Sequence, residues 1–323
     1  MTTSSDPTEA TPPVVSGLLA VGFVFSIAEV TAWITVLVVA FDRGGAGAAG
    51  LAVVVQLVPT ALLAPVVTAA GDRFPRHLVL SVGFAVLAAS ATGIAVSLAS
   101  SANLWIVLLL GAVYTVALES TPATVASLLV RHARTPTQLM QWNVTQSFAR
   151  TAGSLIGPLL TSALLVIAGP SWVFAVLAVT CAITAVGIAV RLPPDDRTNS
   201  TTGLRTVLRA SADGIAYVAT TPGPRRVIAF IAASGLLIGS FDVFFVAVAF
   251  DELGRGGSAA AMLSAGFAAG GLVASAVMRR RSTWGLPTAT VAGALLLSLP
   301  LIPLGFVAHL ATALVLVGVL GAG

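Results

Sequence analysis

Gly71-Asp72-Arg73-Phe74-Pro75-Arg76-His77 sets one acid, two arginines and a histidine in a short gap between two long apolar runs. The flanking runs lie near 46–70 and 78–99. Each reaches the roughly 20 residues a helix needs to cross a hydrocarbon core about 30 Å thick. The stretch therefore reads as a tight charged loop at a membrane surface. The same alternation continues in both directions, with apolar runs near 14–41, 104–130, 138–168, 171–190, 227–250, 257–278, 285–306 and 308–323. That makes about ten transmembrane helices, and the expected class is an all-α membrane protein. The last run reaches Gly323 while still apolar. A helix end in mid-membrane leaves carbonyls without partners, so continuation of the chain, or cover by a partner, is expected there.

Composition agrees. Of 323 residues, 57% are hydrophobic and 9% charged, against about 25% charged in soluble domains, so lipid is the main solvent. The net charge of +4 comes without a single lysine, and the arginines gather in short loops. That pattern suits membrane topology and argues against a nucleic-acid partner. The lone cysteine, Cys181, lies within an apolar run and excludes an intrachain disulfide. The start carries Asp6 and Glu9 but no base, unlike a cleavable signal. With the N-terminus in the cytoplasm, inner loops collect Arg73, Arg76, Arg131, Arg134, Arg191, Arg197, Arg205, Arg209, Arg225, Arg226, Arg279, Arg280 and Arg281. Only Arg43 and Arg255 fall outside. This bias orients the chain.

The organisation that follows is a cytoplasmic tail (1–13), an N-terminal six-helix half (14–190), a cytoplasmic linker (191–226) and an incomplete C-terminal half with helices seven to ten (227–323). In the linker, Leu204, Val207, Leu208, Ile215 and Val218 share helical spacing, with Arg205 and Arg209 off that face. An amphipathic surface helix is one reading and a plain linker the other. The two halves echo each other. Val36-Leu-Val-Val-Ala-Phe-Asp42 and Phe245-Val-Ala-Val-Ala-Phe-Asp251 stand 209 residues apart, each before a glycine-rich loop. Parallel halves of a transporter produce such a repeat.

The 71–77 loop resembles the signature loop of the major facilitator superfamily, a Gly-x-x-x-Asp-Arg-x-Gly-Arg-Arg/Lys pattern between helices two and three. Asp72, Arg73 and Arg76 match it, while Thr68 and Pro75 replace its glycines and His77 stands at a basic position. The resemblance implies a fold of two parallel six-helix halves, here with the second truncated, and a cytoplasmic gating loop formed by Asp72, Arg73 and Arg76. Gly153-Ser-Leu-Ile-Gly157-Pro158 in helix five is similar to the family's Gly-x-x-x-Gly-Pro element. That likeness implies a helix-five bend at Gly153, Gly157 and Pro158. Helix four carries Leu108 to Leu110 where many proton-coupled members have an arginine. The stretches Ala28-Glu29 through Trp33 to Gly45, Gln56 to Pro59, and Leu63 to Pro65 resemble an actinobacterial subgroup. Its members often carry a C-terminal cyclic-nucleotide-binding domain, which is not among these residues.

Four charges fall inside apolar runs: Glu29 in helix one, Glu119 in helix four, Arg150 in helix five and Asp242 in helix seven. Each costs about 2.5–3.5 kcal/mol at a membrane centre unless paired, hydrated or neutralised. Antiparallel neighbours joined by a short loop place Glu119 and Arg150 at similar depth, so an intramembrane ion pair is expected. Helices one, four and seven line the central cavity in the family, which implies that Glu29 and Asp242 serve substrate or proton coupling. Trp33 is the candidate cavity aromatic, whereas Trp172 reads as an interfacial anchor. Asn143 and Gln146 add polar groups one turn before Arg150.

The reading is a secondary active transporter exporting a small molecule by alternating access, with proton coupling admissible. It would act as a monomer in a bacterial plasma membrane, with lipid, substrate and protons as partners. The alternative is a ligand-binding sensor without net transport. His77, His132 and His309 are far apart in topology and no nucleophile–base set is visible, so neither an enzyme nor a cofactor or metal is expected.

Overall fold

The computed structural model describes residues 13–192, 216–280 and 295–322 except 308, together with 209, 213, 214, 292 and 293. The side chains of 13, 68–73, 230–238, 275 and 278–280 are outside that description. So are the tail 1–12, most of the expected amphipathic stretch, and the start of the ninth run. Among the described residues every regular element is helical.

The first element, α1 (Pro13–Arg73), is 61 residues long. Straight, it would reach about 90 Å at 1.5 Å per residue, three times a bilayer core. It is broken at Gly44 (φ −157°, ψ 20°) and Gly45 (φ 64°, ψ −161°). Gly45 lies where a side chain is strained, so its missing Cβ permits the turn. The arms fold back on each other: Val36 and Gln56, 20 positions apart, both border Gly111 of a neighbouring helix. A two-residue gap, Phe74-Pro75, then leads into α2 (Arg76–Ala99), with Pro75 at the cap.

The next apolar stretch is divided into α3 (Leu104–Leu118) and α4 (Ser120–His132). Pro122 causes the division. It has no N–H to give Leu118, and the chain tightens so that Glu119 N bonds Val116 O at 3.3 Å. Two long helices follow, α5 (Pro136–Ile167) and α6 (Pro170–Arg191), each with proline in its first turn. α6 is apolar all round. Its inner face buries Val173, Phe174, Leu177, Cys181 and Ile188, while Val176, Val179, Ile183, Val186 and Val190 stand exposed at three- and four-residue spacing. A helix apolar on both faces belongs in lipid.

Then come α7 (Pro222–Ala247), a π turn (Val248–Glu252), α8 (Gly256–Arg280), the single turn α9 (Leu301–Leu304) and α10 (Leu310–Gly321). Six helices among the described residues are long and apolar enough to cross a membrane, the first being the broken α1 over Val14–Val67.

Packing sets the site. α1 lies against α3, α5 and α6, α2 lies along α6, and α8 packs on α5. The α1–α5 seam is close because α5 offers glycines. A Cβ at Gly153 would come within 2.8 Å of Phe23 O and Ser26 Cβ, and one at Gly157 within 3.2 Å of Thr31 Oγ1. Ser26 Oγ donates to Arg150 O at 2.7 Å and meets Ser154 Oγ at 2.8 Å, while Thr31 Oγ1 donates to Gly157 O at 3.2 Å. α5 runs through Pro158 as a single element.

Candidate functional site

A cavity of about 900 Å³ opens among α1, α3, α4, α5, α7 and α8. Its first wall is polar and comes from α1, α3, α4 and α5: Glu29, Gln56, Thr115, Glu119, Arg150 and Ser154. The facing wall is aromatic. Phe245 and Phe267 line it, and with Phe241 they form a cluster whose ring centroids lie 5.8 to 6.2 Å apart. Asp242 is the acid on that side.

Two polar links organise the cavity. Trp33 Nε1 donates to Asp242 Oδ2 at 2.9 Å, joining α1 to α7. One turn earlier on α1, Glu29 Oε2 lies 4.0 Å from Arg150 Nη2, with their side chains 45% and 43% exposed. Arg150 also stands 5.3 Å from the centroid of the Phe25 ring, a cation–π arrangement. Glu29 and Trp33 are i and i+4 on one helix face, so the arginine–carboxylate pair and the indole–carboxylate bond are adjacent rungs.

The structure thus differs from the expected Glu119–Arg150 pair. Glu119 borders the cavity, but among the described residues the carboxylate within ion-pair distance of Arg150 is Glu29. The reason is packing: the glycine seam brings α5 tight against α1, whereas Glu119 sits at the break before α4. Asp242 accepts from the Trp33 indole. Of the loop residues, Asp72 and Arg73 close α1 and Arg76 opens α2. Gln56 and Tyr114 were not singled out as site residues. Gln56 Oε1 accepts from Thr115 Oγ1 at 3.2 Å, and Tyr114 Oη donates to Ala28 O at 3.3 Å. A lone glutamine inside an apolar run was the available signal.

At one end of the cavity α1 meets the π turn and α5 meets α8. The Phe41 and Phe250 rings are 4.9 Å apart, and Ser162 Oγ donates to Ser258 O at 3.0 Å. Phe41 lies 12 residues beyond Glu29, about 18 Å along the helix. The charged part of the cavity therefore lies well inside this closed end, on the side where Glu29 and Arg150 keep their exposure.

The profile of the Major Facilitator Superfamily matches residues 18–323. The chain belongs to the Major Facilitator Superfamily. Its fold is similar to a D-xylose–proton symporter (TM-score 0.64, 14% identity, covering 96% of this chain and 78% of that one). It is also similar to a POT family transporter solved with 5-aminolevulinic acid (0.69, 13%, 97% and 82%). A bacterial homologue of the human lysosomal transporter Spinster, solved inward-facing and occupied, shares it too (0.59, 15%, 99% and 74%). No curated protein matches the chain. At these identities the likeness is one of fold. Family and fold together make the protein a membrane-embedded secondary transporter of a small molecule, not an enzyme.

Proposed function

We propose that the protein exports an amphipathic organic cation by alternating access, with Asp242 and Glu29 as the coupling carboxylates. The single observation that carries this reading is the cavity lining: Glu29, Glu119 and Arg150 on one wall, and Asp242 with Phe245 and Phe267 on the other. An excess of carboxylates attracts positive charge, and aromatic faces favour a cation with apolar bulk. Trp33 holds Asp242 when the site is empty; a bound cation competes for that carboxylate and loosens the link between halves. A proton on Asp242 does the same, which gives a means of coupling without an arginine on helix four.

The rest of the reading follows from topology. About ten spans form two parallel halves, Asp72, Arg73 and Arg76 act as the cytoplasmic gating loop, and the arginine distribution supports an N-terminus on the cytoplasmic side of a bacterial plasma membrane. The contact of Phe41 with Phe250 is then the closed outer gate. Subgroup membership and a monomeric state belong to the same reading.

The test is transport by protein in liposomes, assayed with a panel of fluorescent organic cations under an imposed proton gradient. Asp242→Asn and Glu29→Gln each lower transport at least tenfold with membrane abundance unchanged. Full transport by both variants would sink the coupling role. Ligand binding by the wild type without accumulation would turn the reading to a sensor.

A further inference from the structure

A second cavity, about 110 Å³, lies beside the central one between α1, α4 and α5. Gly22, Thr121, Asn143, Gln146 and Arg150 border it, with Val125 and Leu129 as apolar walls. Two buried polar atoms of this lining, Thr121 Oγ1 and Gln146 Oε1, have no hydrogen-bond partner among the described residues. Thr121 is 1% exposed. Such an orphan is costly in a dry interior, and Thr121 forgoes the remedy its neighbours use. Thr115, Thr124 and Thr161 each donate to the carbonyl four residues back, at 2.9, 2.6 and 2.9 Å. The Gln146 amide reaches this lining because Gly22 has no Cβ, which would overlap it.

On α5, Asn143, Gln146 and Arg150 are spaced three and four apart, so they form one line on the helix face. Asn143 is exposed at one end, and Arg150 meets Glu29 at the other.

We infer that this pocket holds a small cluster of water and forms a hydrated side path from Asn143 to the Glu29–Arg150 pair, bypassing the central cavity. The volume suits roughly three waters at about 30 Å³ each. A cation is repelled by the Arg150 guanidinium, and an anion by the Gln146 amide oxygen. Water serves both, since it donates to Oε1 and accepts from the guanidinium and the hydroxyl. The consequence is that Glu29, reached through water held by the Arg150 guanidinium, exchanges its proton with solvent while a substrate fills the central cavity. The use of that exchange in coupling rests on the transporter reading above; the hydration does not.

X-ray hydroxyl-radical footprinting of the purified full chain tests it, because buried side chains are oxidised when water is bound against them. Val125 and Leu129 are 2% and 1% exposed, and Leu80 and Leu87 are 0% exposed in a different part of the core. Val125 and Leu129 are expected to oxidise at least tenfold faster than Leu80 and Leu87, and Thr121→Val is expected to reduce that labelling at least threefold. Wild-type labelling of Val125 and Leu129 no faster than Leu80 and Leu87 would overturn the proposal, as would undiminished labelling in Thr121→Val. Neither result depends on transport, so failure of the export reading is distinguishable.

Discussion

The bond from Trp33 to Asp242 joins two positions separated by 209 residues, the same offset that relates the two sequence echoes. Each of its partners therefore lies at the other's position in the sequence echo. Phe41 and Phe250, also 209 apart, meet in the same way. A hydrogen bond to a carboxylate contributes about 1.5–3 kcal/mol when its surroundings are dry. Because Asp242 borders the cavity, the lower end of that range applies. Trp33→Phe is expected to lower unfolding free energy by about 1.5 kcal/mol, and to do much less in an Asp242→Asn background. A double-mutant cycle by chemical denaturation in detergent measures the difference, and a coupling under about 0.5 kcal/mol would show that the bond does not hold α1 to α7. The glutamate–arginine pair is looser, at 4.0 Å and with both side chains close to half exposed. Screening by cavity water leaves it little stabilising energy, which suits groups that must exchange partners.

At the scale of elements, the α1–α5 seam sets the distances in the site. Gly153 and Gly157 let the helices approach until Ser26 bonds the α5 backbone, and this approach brings Arg150 to Glu29. Gly187 on α6 is a useful contrast, since a Cβ there meets nothing within 4 Å. Gly153→Ala is expected to cost about 1–3 kcal/mol from overpacking and to weaken ligand binding. Gly187→Ala is expected to be neutral or slightly stabilising, by up to about 1 kcal/mol of helix propensity. Thermal unfolding of the two variants side by side checks this, and equal stability would remove the seam from the account. The break at Glu119 is also an element-level matter. Pro122 ends one helix and begins the next, so a single apolar run yields two pieces with an acid at their joint.

For the whole molecule, the position of the closed end is the main finding. α1 meets the π turn at Phe41–Phe250 and α5 meets α8 at Ser162–Ser258, with the charged cavity on the other side of that contact. In a Cys181→Ser background, Phe41→Cys with Phe250→Cys is expected to react with a short bifunctional thiol reagent. Cross-linking should then stop at least nine-tenths of transport, with recovery on reduction. Undiminished transport by the cross-linked protein would show that these residues need not separate.

Fold class was legible in the sequence because hydrophobicity and length are properties of a run taken alone. Runs of more than 20 apolar residues separated by arginines at 73 and 76, 131 and 134, and 191 imply spanning helices whatever their neighbours do. The 209-residue echo and the acids and arginine within apolar runs are visible for the same reason. Which charge meets which was not legible. Loop length suggested Glu119 for Arg150, but side-chain pairing depends on how closely helix axes approach, and glycines at 153 and 157 on one helix settle that only against Ser26 and Ile27 of another. The same holds for the indole across from Asp242, the aromatic wall and the orphan hydroxyl of Thr121. Each depends on rotation and separation between helices distant in sequence, and only the tertiary structure decides these.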